Sequence, residues 1–103
     1  MFMTTTATIE GHPITETLGM VQGSTIRSKD IGRDIGASLK SIVGGELRSY
    51  TQMLVEARQE AVQRMTEHAT SMGANAIVGV RFTTSMVMGG AAEILAYGTA
   101  VKI

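Results

Sequence analysis

The run from Glu46 to Met72, ELRSYTQMLVEARQEAVQRMTEHATSM, contains neither proline nor glycine, and Gly44-Gly45 and Gly73 punctuate its two ends. Leu47, Tyr50, Leu54, Ala57, Ala61, Met65, His68 or Ala69, and Met72 recur at spacings of three and four. That is the period of one apolar stripe on an α-helix. At 1.5 Å per residue the helix would be roughly 40 Å long, so the rest of the chain has to be laid out along it. Met53 and Val62 lie off the stripe and widen its apolar surface. A helix of this kind requires a broad partner surface, and the flanking segments read as strands.

Thr4 to Ile9 is rich in β-branched residues and is expected to form a short strand. Glu10-Gly11-His12-Pro13 is a turn, and Ile14 to Ile26 a longer strand with Ile14, Leu18 and Met20 on one face and Val21 on the other. Gly19 and Gly23 mark a bulge or a close backbone approach. The two segments are placed to pair as a hairpin. Lys29 to Val43 spaces Ile31, Ile35, Leu39 and Ile42 for a short helix, with Asp30 near its start; Gly32 and Gly36 weaken it by about 1 kcal/mol each.

After Gly73 the period drops to two. Ala76, Val78, Val80 and Phe82 share one face, and Ile77, Gly79, Arg81 and Thr83 the other. Met86 to Gly90 is the turn region of a hairpin whose last strand, Glu93 to Ile103, sets Ile94, Ala96, Gly98 and Ala100 opposite Leu95, Tyr97, Thr99 and Val101. Both faces of this hairpin are apolar, whereas a sheet covered by one helix should alternate cleanly. One helix covers one face only, so a second copy of the chain is expected to cover the other. Charged residues make up 17% of the chain, against about 25% in an ordinary domain, and such a surface suits an oligomer.

The chain is expected to form one domain, residues 1–103. Nine basic residues balance nine acidic ones without a basic stripe, which argues against nucleic acid. No apolar run reaches membrane-spanning length and the N-terminus does not read as a signal peptide, so the expected setting is the cytoplasm. There is no cysteine. No nucleophile, base and orienting partner assemble into a catalytic set, and Gly32 to Gly36 ahead of Lys40-Ser41 lacks the glycine and feeding strand of a phosphate loop. A non-enzymatic protein without a cofactor is the expectation. The only histidines are His12 and His68. Met65, His68 and Met72 lie at i, i+3 and i+7 on one helix side, where soft donors suit Cu(I). Core packing by the methionines is the commoner use of such a stripe, so no metal site is expected. Arg33, Asp34, Tyr50 and Arg58 are the polar residues best placed to serve an interface or a ligand.

Gly32-Arg33-Asp34 ahead of Ile42-Val43-Gly44-Gly45, Tyr50, Glu56-Ala57-Arg58, Gly73-Ala74-Asn75-Ala76-Ile77-Val78-Gly79-Val80 and Gly98-Thr99-Ala100-Val101 together span nearly the whole chain. In these motifs the sequence resembles the YbjQ family of small bacterial and archaeal proteins, which carries a heavy-metal-binding label. The resemblance implies an α+β, dodecin-like subunit of strand–strand–helix–strand–strand order, an antiparallel sheet on one long helix, and a ring-shaped homopentamer or a multiple of it. It brings no catalytic residues. The function it leaves open is a ring scaffold or small-ligand-binding protein, with heavy-metal binding through His and Met as the alternative.

Overall fold

The computed structural model describes residues 1–27, 45–86 and 91–103. The expected Lys29–Val43 helix, Arg33, Asp34 and the hairpin tip at 87–90 lie outside those residues. Four strands, β1 (Phe2–Met3), β2 (Glu16–Arg27), β3 (Ala76–Met86) and β4 (Ala92–Lys102), form one sheet in the order β1-β3-β4-β2, and α1 (Gly45–Ser71) packs on one face of it. The fold is α+β, as expected, but the sheet is mixed: β1 runs parallel to β3, and the other pairs are antiparallel. No helix among the described residues is long and apolar enough to cross a membrane.

The expected hairpin between the first two strands does not form, because β1 and β2 occupy opposite edges. The Glu10–Pro13 turn does form: His12 N–H donates to Ile9 O at 3.1 Å, and Gly11 takes φ 74°. It lies in a loop that crosses the face away from α1, where Ile9 and Ile14 pack over Ala76, Val78 and Val101. The expected strand over Thr4–Ile9 does not form, the regular pairing ending at Met3. Thr4 and Thr6 still bond the β3 backbone, with Gly79 N–H donating to Thr6 O at 2.8 Å. Their hydroxyls turn inward on the segment, Thr6 Oγ1 donating to Thr8 O at 2.6 Å. Such local bonds compete with a regular ladder.

Glycine sets the seam between helix and sheet. A Cβ on Gly23 would sit 2.3 Å from both Ala61 O and Met65 N, so the α1 backbone lies directly on β2. Ala57, Ala61, Met65 and Ala69 are wholly buried there against Val21, Ala96 and Ala100. Thr25 Oγ1 donates to Ala57 O at 3.1 Å. From Ala57 onward the stripe read from the sequence is therefore the buried one, with Ala69 rather than His68 on it in the last turn. Leu54 is only half-buried, at the core's edge. From the Ala57–Thr25 contact α1 runs on toward Gly45 for about 18 Å, while β2 has only Ile26 and Arg27 left.

Each flanking strand carries an extra residue. β2 bulges between Thr17 and Gly19, which takes φ 130°, and β3 bulges between Val78 and Arg81, where Gly79 takes φ 63°. An inserted residue reverses the facing of everything beyond it. The single faces expected for 76–82 and for 14–20 are split accordingly. Ala76 and Val78 lie under the N-terminal loop, whereas Ile77 and Val80 join the α1 core. Leu18 packs with Val21 against that core, and Met20 is left exposed on the opposite face.

Candidate functional site

Cross-strand pairing assigns the side chains of each strand to a face. Ile94, Ala96 and Ala100 face α1, so their neighbours Glu93, Leu95, Tyr97 and Thr99 face away. Met20 is paired with Thr99 and Ile26 with Glu93, which puts both on that outer face, and they remain 69% and 67% exposed. Tyr97 is also exposed, and Leu95 is half-buried between Ser24 and Thr83. The N-terminal loop covers only the Val101 end of this face. The remainder is an apolar surface of Met20, Ile26, Leu95 and Tyr97, interrupted by Gln22 and Arg81.

A second apolar surface lies on the helix side. Phe82 pairs with Ala96 and Met86 with Ala92, so both point toward the α1 side. The helix sits mainly over β2 and β4 and does not cover these two side chains, leaving Phe82 48% and Met86 67% exposed. Phe82, Val62, Arg58 and Gln59 line a shallow, mainly apolar depression between β3 and α1. Met3 lies farther along the same side, its sulfur 3.8 Å from Thr66 Oγ1, whose hydrogen goes to Val62 O at 2.9 Å. The apolar outer face of β4 is the second face that the sequence leaves for another copy to cover; the bulges add Met20 to it and turn Phe82 toward α1, which the alternating pattern does not show.

The solvent side of α1 is polar and organised around Glu60. Its carboxylate pairs with Arg27 of β2 and with Arg64 one turn on, the latter at 2.6 Å. Glu60 and Arg64 are one turn apart on the helix, a spacing that favours such a pair; Arg27 and the further bond from Arg64 to Ser24 O, at 2.5 Å, have no sequence signal. Tyr50 is half-buried on α1, and Arg58 is exposed beside the Phe82 depression.

The soft-metal trio does not form a cradle. Met65 is wholly buried in the helix–sheet seam. His68 is exposed at the β2 edge, where its Nδ1 accepts the Gln22 backbone N–H at 3.2 Å. Met72 packs near Gly19, at which an added methyl would lie 3.6 Å from its Cε. His12 is at the other side of the subunit, its ring centroid 6.4 Å from that of Phe2 in β1. No group of three or more His, Cys, Asp or Glu among the described residues could hold a metal ion. Among the described residues these donors thus do not fit a resident heavy metal: Met65 is sealed in the core, and the two histidines stand at opposite sides of the sheet.

Residues 1–103 match a family model described as "Putative heavy-metal-binding". A UPF0145 protein of Methanosarcina acetivorans is 63% identical over 103 residues, covering 100% of this chain and 97% of its own. One of Vibrio parahaemolyticus is 59% identical, with 100% and 98% covered, and one of Dehalococcoides mccartyi 60%, with 100% and 99% covered. A crystal structure of a DUF74-family protein of unknown function from Pediococcus pentosaceus is similar with a TM-score of 0.68 at 20% identity, covering 100% of this chain and 97% of that one. That likeness speaks to the fold.

Proposed function

The chain belongs to the YbjQ family, and from that premise we propose that it acts without catalysis, as the dodecin-like subunit of a closed homo-oligomeric ring that serves as a scaffold or holds a small ligand between subunits. The observation that carries this reading is the outer face of the sheet, where Met20, Ile26 and Tyr97 are exposed and no described residue covers them. A second apolar surface, at Val62 and Phe82, faces the other way. Two different sticky surfaces on one subunit suit a heterologous contact, which closes into a ring when the rotation allows. The radius of gyration, 16.8 Å, exceeds the roughly 13 Å of a compact domain this size, and a subunit that elongated gains from neighbours. Five copies, or a multiple of five, is the number the family resemblance suggests.

Native mass spectrometry and light scattering test the assembly. One closed species is expected, and Met20→Glu with Tyr97→Glu should disperse it toward monomer. A wild-type chain that stays monomeric at micromolar concentration would end the ring reading. The heavy-metal alternative has weaker support, because the candidate donors point apart within a subunit.

A further inference from the structure

The two edges of the sheet are treated differently. On β2 two outward backbone groups near the middle of the strand are taken up by side chains of α1: Gln22 N–H by His68 Nδ1, and Ser24 O by Arg64. Glu60 holds Arg64 in place from one turn away, and Arg27 holds Glu60 from the strand itself. On β3 the N-terminal segment bonds as far as Val80, and Arg81 donates to Thr5 O at 2.8 Å. Past that point Phe82 to Met86 are all exposed, and no strand pairs with their outer edge among the described residues. Phe82-Thr83-Thr84-Ser85-Met86 contains no charge and no proline, so it lacks the usual devices that blunt an edge.

We infer that His68 and Arg64 are guards that stop β3 of one copy from adding as a strand to β2 of the next. One open edge and one closable edge on the same subunit define a head-to-tail contact. Repeated without closure, that contact propagates into a filament. Occupying one donor and one acceptor at the middle of β2, with the His68 and Arg64 side chains lying across that edge, obstructs the receiving partner while leaving the donor edge intact. The occupant excluded is a second copy of this chain, presented through its residues 82–86. This goes beyond the ring reading, which concerns side chains on the sheet faces, and does not depend on it.

The test is the double variant R64A/H68A, followed by light scattering and sedimentation across a hundredfold concentration range. Its mass is expected to climb with concentration, while wild type and H68Q, whose amide oxygen can still accept from Gln22, keep a fixed mass. Adding T84K, which puts a charge at the donor edge, should suppress the growth. A double variant with native helical circular dichroism and wild-type mass would overturn the inference, as would growth undiminished by T84K. Should R64A/H68A lose its helical signal, amide exchange at Gln22 in H68A decides. At least tenfold faster exchange in H68A than in H68Q is expected, and equal rates would overturn the guard role.

Discussion

Gly23→Ala isolates the contact between helix and sheet. Gly23 does not take positive φ, so alanine suits its backbone and, in an open site, would stabilise by about 0.4–1 kcal/mol through the unfolded chain. The site is closed. The new methyl would lie 2.3 Å from Ala61 O and Met65 N, where ordinary contact begins at 3.4 Å. Both atoms are main chain within the 27-residue α1, so no side chain can swing aside and the helix must retreat by about 1 Å. A gap of that size forfeits a quarter to a half of the dispersion energy of each contact it opens, here along Ala57, Ala61, Met65 and Ala69. Overpacking costs roughly 1–3 kcal/mol, and a backbone obstacle puts this case at the upper end. After the entropic offset, a net loss of about 2–3 kcal/mol is expected. Urea unfolding at fixed subunit concentration, which an oligomer requires, measures it. Gly11→Ala is the control: φ is 74° with open space around it, so only the left-handed strain of about 1–2 kcal/mol applies. A Gly23→Ala variant within 0.5 kcal/mol of wild type would refute the close-seam argument.

Met65→Ala, which empties a wholly buried position, should cost about 2–5 kcal/mol; half-buried Leu54→Ala should cost less and exposed Gln63→Ala little, by the same unfolding assay. Glu60→Gln removes the charge that joins Arg27 and Arg64. Because all three groups are partly exposed, the loss should stay near or below about 1 kcal/mol and shrink further in high salt. Calorimetry with zinc, nickel or cadmium should show nothing tighter than about millimolar, roughly −4 kcal/mol; micromolar stoichiometric binding lost in His68→Ala would restore the metal reading.

The helix was legible because an alanine-rich stripe repeats at helical spacing and glycines close both ends. Gly19 and Gly23, within an otherwise strand-like run, announced the bulge and the close approach in β2. Strand facing was less legible. A bulge at Gly79 moves Val80 and Phe82 away from the face of Ala76 and Val78, and nothing in an alternating string shows where the phase slips. The parallel pairing of β1 with β3 joins Phe2 to Ala76, a contact too distant in sequence to leave a local signal. Met65 and His68 both meet β2 from the helix, one in the seam and one at the strand edge, while Met72 stands one residue past the helix end. Spacing gives direction around an axis and not depth, so it could not say that Met65 is sealed while His68 reaches the sheet edge.

The bulges also bear on how such a chain tolerates changes of length. Insertions and deletions ordinarily survive in loops and fail in strands, since one residue gained or lost turns the rest of the strand inside out. In β3 the pairs Val78↔Thr99 and Arg81↔Tyr97 place Gly79 and Val80 together opposite Gly98. In β2 Leu18 is the surplus residue between Thr17↔Val101 and Gly19↔Ala100. Removing Gly79 would close the ladder into a regular one with every other partner unchanged, at the cost of its bond to Thr6. Two interior strand positions of this sheet are thus places where homologous chains can differ in length by one residue without exchanging inside for outside.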